Sequence, residues 1–193
     1  MRKKENQRHD LWQWEKFLNN KQIKELNKVI KKHLTDGEDE PASTIKTSRV
    51  DFCLYKNLKP YLYDILERVK STNTDHFGYS IYDVNDYDLI HVNTYSYKNR
   101  GRYDWHIDAA RDYTKDIKFT IIVNLSEEPY EGGNFKLFIT GLSPEQKGIP
   151  EITSINYPGS VLMFKSWIPH RVLPVIKGTR KTLTVFINGP RFI

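Results

Sequence analysis

Apolar residues recur at helical spacing in the first third of the chain, and beyond residue 78 they alternate. From Lys21 to Leu34, the residues Ile23, Leu26, Val29, Ile30 and Leu34 share one face and lysines occupy the other, which predicts an amphipathic helix. Ahead of it, Leu11, Trp12, Trp14 and Phe17 form an apolar cluster leading to Asn19-Asn20, which can cap that helix. A second helix is predicted over Leu58–Ser71, with Tyr61, Leu62, Ile65, Leu66 and Val69 as its buried stripe. Between the two, residues 35–44 (TDGEDEPAST) are polar with Gly and Pro and read as a loop, whereas Arg49–Tyr55 alternates as a strand does. Residues 1–9 read as a frayed tail.

Past residue 78 the runs are short, β-branched and aromatic. Strands are predicted over 79–83, 88–97, 103–108, 118–125, 134–140, 151–156, 160–165, 169–175 and 180–188. Turn chemistry separates them at Asn99-Arg100-Gly101, Gly132-Gly133, Pro158-Gly159 and Lys177-Gly178. Many short strands at this spacing mean a sandwich or barrel. The expected class is therefore mainly β with N-terminal helices (α+β), the helices bracing one sheet from outside. Residues 1–193 read as one domain, with 11–77 as helical support and 78–193 as the β core. There is no internal repeat and no linker-like stretch.

Composition narrows the picture only a little. A chain of 193 residues, 38% hydrophobic, can build one buried core. No apolar run approaches the ~20 residues of a membrane-spanning helix, and the charged stretch Met1–Asp10 is not followed by the apolar core of a secretory signal. One cysteine, Cys53, excludes an internal disulfide and fits a reducing compartment, so a cytoplasmic location is expected. The formal charge of +6 would suit an acidic partner such as nucleic acid. The excess lies on the lysine face of the first helix, not interleaved with aromatics, so a solvated surface is the favoured reading.

Candidate chemistry sits in the second half. Of six histidines, His9, His33, His76 and His91 read as surface, loop or packing residues. His106 and Asp108 differ: two residues apart on a strand, their side chains share a face and can offer two adjacent vertices of a metal's coordination sphere. The triplet is weak alone. His170, where a later strand should begin, supplies a third ligand. Two imidazoles and one carboxylate on one side of an ion leave three positions open, as non-haem Fe(II) oxygenases require, whereas zinc more often takes a closed tetrahedral site. Ten residues after His170 stands Arg180, whose guanidinium can grip the distal carboxylate of a dicarboxylic cosubstrate.

With these residues in place, the C-terminal half resembles the Fe(II)/2-oxoglutarate-dependent dioxygenases, most closely the prolyl-4-hydroxylase-like branch and its bacterial and phage relatives. The resemblance lies in Tyr97–Asp108 (YKNRGRYDWHID), Glu131–Phe135 (EGGNF), Pro158–Phe164 (PGSVLMF) and His170–Pro190 (HRVLPVIKGTRKTLTVFINGP), and it covers about residues 88–190. It implies a double-stranded β-helix, a distorted jelly roll of cupin-like form, with Fe(II) held by His106, Asp108 and His170. It further implies 2-oxoglutarate paired with Arg180, and it admits ascorbate as a reductant. Tyr97 matches a tyrosine that supports the cosubstrate, with Tyr95 as the alternative. Where some relatives place a second cosubstrate-binding tyrosine, this sequence has Asn124. It also reads Phe164-Lys165-Ser166 where bacterial relatives often read Phe-Pro-Ser, and Lys165 is expected at the rim.

The implied activity is hydroxylation of a C–H bond with release of succinate and CO2, with a prolyl residue of a protein or peptide as the expected target. A small metabolite, free amino acid or nucleobase is the alternative substrate, and a catalytically silent β-helix binding module is the alternative of another class. Trp105 is expected to point away from the metal. Asn93, Tyr103 and Trp167 are expected to line the entrance, and residues 109–117 to form a flap. Arg100, Arg102 and Arg111 lie close to that mouth in sequence.

Overall fold

The structure, a computed structural model, describes residues 9–39, 45–108, 115–139 and 150–192. The expected tail up to residue 8, the end of the 35–44 loop, most of the 109–117 flap and Arg111 lie outside these residues. Its elements follow the chain as β1 (Leu11–Trp14), α1 (Asn20–His33), β2 (Thr35–Asp39), β3 (Lys46–Thr47), β4 (Arg49–Leu54) and α2 (Tyr55–Thr72). Then come β5 (Leu89–Ser96), β6 (Arg102–His106), β7 (Asp116–Asn124), β8 (Glu131–Gly132), β9 (Phe135–Leu137), β10 (Val161–Lys165), β11 (His170–Val172), β12 (Val175–Lys177) and β13 (Thr179–Gly189).

A seven-stranded sheet in the order β1-β10-β7-β13-β5-β4-β2 faces a four-stranded one in the order β3-β6-β11-β9, and β12 pairs with β8. This is the expected mainly β class, and the facing sheets form the jelly roll. Alternation divides the large sheet into two working faces. One face turns Cys53, Ile90, Val92, Phe119, Ile121, Val123, Leu183, Val185 and Ile187 toward α1 and α2, which bury Ile23, Leu26, Ile30, Leu58, Leu62, Ile65 and Val69 against them. The other face turns Tyr95, Ile122, Leu162 and Phe164 toward the small sheet, where Phe135, Leu137 and Val172 meet them, with Val175 of β12 in the same cluster. Each fully buried aliphatic or aromatic side chain contributes roughly 1.5–3 kcal/mol.

The caps and turns behave as their residues dictate. Asn19 closes a capping box, its side chain accepting from the Gln22 backbone N–H while the Gln22 side chain accepts from that of Asn19. Gly159 has φ 78°, and a Cβ there would run into the carbonyl oxygen of Leu18, which the same turn ties down through Leu18 N–H to Gly159 O.

Several expected boundaries move. The 11–77 segment is not helical support alone: Leu11–Trp14 adds an edge strand to β10, and β2 and β4 extend the sheet beyond β5. Residues 35–39, expected in a loop, pair with β4 despite their polarity, because an edge strand needs only a partner's free backbone. Residues 79–83 carry no regular strand, since only Tyr82 N–H reaches the sheet, at Asn188 O. Residues 153–156 form a 3-10 turn with Ile155 as its buried anchor, leaving Glu151 as an isolated bridge to Lys136.

Cys53 is fully buried, its Sγ 3.4 Å from the His33 carbonyl oxygen at the end of α1, and burial pushes its thiol up to about 11, with Asp51 adding and Lys181 opposing. A disulfide-exchange reagent at pH 8 should therefore react with native Cys53 at least about a hundredfold more slowly than with the denatured chain. Equal rates would contradict this packing.

Candidate metal centre and cosubstrate pocket

The small sheet positions the histidines. β6 ends at His106, β11 begins at His170, and the antiparallel register sets the two opposite each other. Asp108 follows two residues beyond His106 and is fixed by its own N–H, which donates to Ser166 O at 2.9 Å. One ligating atom from each of His106, Asp108 and His170 lies within 4.8 Å of the others. His106 Nε2 is 3.6 Å from Asp108 Oδ1, and His170 Nε2 is 3.3 Å from Asp108 Oδ2.

Both rings are oriented from behind. His106 Nδ1 is 2.7 Å from Asp104 O and His170 Nδ1 is 2.9 Å from Ile168 O. A carbonyl oxygen only accepts, so each Nδ1 carries the proton and each Nε2 presents its lone pair to the centre. Burial, with His170 adding, pushes His106 down to about 4, so its neutral, ligating form dominates at neutral pH. Burial raises the Asp108 carboxyl, but the closeness of His170 and His106 and the hydrogen bond from Thr120 outweigh it and hold the group below its ordinary value. Two imidazole nitrogens and a carboxylate converging from one side fit a non-haem Fe(II) centre. Apolar rings pack around them: Tyr103 stacks on His106 at 3.4 Å, and Phe164 lies edge-on to His170 at 4.7 Å.

Thr120 is the residue the sequence reading missed. It is 1% exposed, and its Oγ1 donates to Asp108 Oδ2 at 2.8 Å while lying 3.1 Å from Ser166 Oγ. β7 thus reaches across from the large sheet to orient a ligand carried by the small one. Its position in the apolar run IKFTIIVN, as the inward polar residue of a buried strand, was the available signal.

Arg180 stands on the inner face of β13, opposite Tyr95 of β5, with its guanidinium 5.4 Å from the Tyr95 ring centroid. It is 1% exposed, and its Nε and Nη2 are buried with no hydrogen-bond partner. A permanently charged group buried in this way calls for an anion. Gly133 leaves the room it needs, since a Cβ there would come within 2.9 Å of Arg180 Cδ. A cavity of about 290 Å³ contains both His106, Asp108 and His170 and, along β13, Arg180.

The other expected residues divide. Tyr95 lines the cavity; Tyr97 does not. β5 ends at Ser96, and the 3-10 turn that follows carries Tyr97 out to 48% exposure. Asn124 is fully buried but not in the cavity wall. Its amide is engaged elsewhere, donating to Ile155 O and Tyr130 Oη and accepting from Ser126 N–H. Asn93 and Tyr103 line the cavity as expected, and so does His91, which was expected only to pack. Trp167 instead packs on Tyr79 and Phe192, Trp105 stacks with Arg171, and Lys165 pairs with Asp10 beside β1. No described helix is long and apolar enough to cross a membrane.

The sequence profile of the 2OG-Fe(II) oxygenase superfamily matches residues 90–188, just over half of the chain, including His106, Asp108, Thr120, His170 and Arg180. The chain belongs to that superfamily, which implies Fe(II) and 2-oxoglutarate. A PKHD-type hydroxylase from Synechococcus sp. (strain CC9605) is 29% identical over 89 residues. That stretch is 45% of this chain and only 36% of the relative's length. Among solved structures, a Pseudomonas putida prolyl-4-hydroxylase superposes with a TM-score of 0.69 at 19% identity, covering 95% of this chain and 94% of the other. A prolyl hydroxylase from Trichoplax adhaerens, solved with a hypoxia-inducible-factor oxygen degradation domain peptide, gives 0.64 at 18% identity, covering 92% and 83%. At these identities the superpositions show a shared fold.

Thr120→Val keeps the β-branched shape and removes only the hydroxyl. It should lower the affinity of the metal-free protein for Co(II), followed by its visible absorption, about 10–100-fold. Unchanged affinity would contradict the orienting role of Thr120.

Proposed function

We propose that this chain is a working Fe(II)- and 2-oxoglutarate-dependent oxygenase that hydroxylates a C–H bond of a protein or peptide, with a prolyl residue as the target. The observation that carries the reading is the pairing, in one cavity, of an open-faced His106/Asp108/His170 set with the buried, unpartnered guanidinium of Arg180. His106, Asp108 and His170 would hold the iron, which when bound supplies the oxidising chemistry. Arg180 binds the distal carboxylate of 2-oxoglutarate, and Tyr95 packs against that guanidinium. The two Nδ1–H groups and Thr120 keep the three ligands aimed, and Tyr103, Phe135 and Phe164 exclude water around them.

A binding module without catalysis has no use for three aimed ligands and an uncompensated buried cation in the same cavity. The peptidyl and prolyl part of the reading rests on the resemblance and on the fold shared with prolyl hydroxylases. Ascorbate would act as a reductant in solution, and the cytoplasm, where such a cosubstrate is at hand, is the proposed location.

Purified protein given Fe(II), 2-oxoglutarate and O2 should form succinate even before a substrate is found, and Asp108→Ala should abolish it. Absence of metal binding and of succinate in the unaltered protein would favour the silent module.

A further inference from the structure

The cavity extends in two directions from the metal ligands. Thr120, which holds Asp108, lies opposite Phe186 in the β7–β13 ladder. Running back along β13 from Phe186, the inner-face residues are Thr184, Thr182 and Arg180. That arm belongs to the cosubstrate. Running sideways, the inner face passes from Phe186 on β13 to His91 on β5 and Phe52 on β4, strands ~4.8 Å apart. The cosubstrate does not need this second arm.

Its wall is built from three rings in fixed mutual geometry. His91 lies edge-to-face with Phe52 at 4.9 Å and 84°, and with Phe186 at 5.0 Å and 84°. Val50, two residues from Phe52 on the same face, is buried as its floor. The three rings are half-buried, so the arm is open toward solvent while already formed. Among the described lining residues the one carboxylate is Asp108, which the metal would use, and the cations are Lys46 and Arg180.

We propose that this arm is the subsite for the substrate's reacting side chain, and that Phe52, His91 and Phe186 select a neutral apolar chain or ring. The inference rests on the oxygenase reading above and adds what that reading leaves open: which residues choose the substrate. An ammonium or guanidinium side chain entering here would find no counter-charge in the arm and would share the cavity with Lys46. A carboxylate would lose most of its water, since Val50, Phe52 and Phe186 offer no donor and only the His91 ring among the three rings could give one. An aliphatic side chain or pyrrolidine ring gains contact with all three rings and leaves no polar group unpaired. Because the rings hold one another, little ordering accompanies binding.

The test uses the full chain with Fe(II), 2-oxoglutarate and O2, and four peptides Ac-Gly-Ala-Xaa-Gly-Ala-NH2 with Xaa as Pro, Leu, Lys or Glu. Succinate formation and peptide mass are both read. The Pro or Leu peptide should gain the mass of one oxygen atom, and the Lys and Glu peptides should not. Phe52→Ala should lower kcat/KM for the accepted peptide at least about tenfold, and Phe52→Leu should restore most of it. Phe52→Glu, checked for an unchanged melting midpoint, should shift the preference toward the Lys peptide. Hydroxylation of the Lys or Glu peptide by the unaltered protein at a comparable rate would overturn the proposal, as would succinate formation with all four peptides left unmodified. Absence of succinate without any peptide would instead overturn the oxygenase reading itself.

Discussion

The site depends on one register, that of β11 against β6. His170 lies opposite His106, so two imidazoles project from adjacent strands into the same space, and Asp108 arrives from the end of the second strand. Side chains alternate every residue along a strand, so a slip of either strand by one position would send its histidine to the outer face. The bulge between His170 and Val172 allows Tyr103 to pair with Val172 while His106 pairs with His170, which brings the Tyr103 ring onto the His106 ring. The same ladder thus aims two ligands and builds one wall of their enclosure.

A second constraint comes from the large sheet. Arg180 on β13 buries a permanent charge with two donor nitrogens unsatisfied, an arrangement that costs stability unless an anion completes it. Tyr95 across the strand and the missing side chain at Gly133 make room for the guanidinium without neutralising it. Thr120, on the neighbouring β7, reaches over to Asp108. The large sheet therefore carries Arg180 and steadies Asp108, and the small sheet carries the candidate metal ligands. Neither sheet holds a complete site.

Much of this was legible in the chain because it follows periodicity. The 3.6-residue stripe from Ile23 to Ile30 lies buried on α1, and the period-two runs of 88–97, 160–165 and 180–188 lie in β5, β10 and β13. The resemblance assigned His106, Asp108, His170 and Arg180 to one site, and the geometry draws those four into one cavity. What escaped depends on tertiary context. Residues 35–39 have no strand-forming composition, and only the exposed edge of β4 makes them a strand. Tyr79 and Ile81 alternate like a strand, but Tyr79 turns to Trp167 and Phe192 instead. Tyr97 leaves the strand that carries Tyr95 because Ser96 caps a 3-10 turn, its side chain accepting from Lys98 N–H, where the predicted strand 88–97 runs on. Asn124 occupies the expected position on β7 but spends its amide on the 3-10 turn at Ile155.

The central claim is that one ligand spans the metal set and Arg180. Calorimetric titration of Mn(II)-loaded protein with 2-oxoglutarate and with 2-oxobutyrate, which lacks the distal carboxylate, tests it directly when repeated on Arg180→Ala. The arrangement predicts that 2-oxoglutarate binds the unaltered protein at least about 100-fold more tightly than 2-oxobutyrate, a charge-assisted pair in a buried setting, and that the difference largely disappears in the variant. Equal affinities in the unaltered protein, or a preference that survives loss of Arg180, would contradict it.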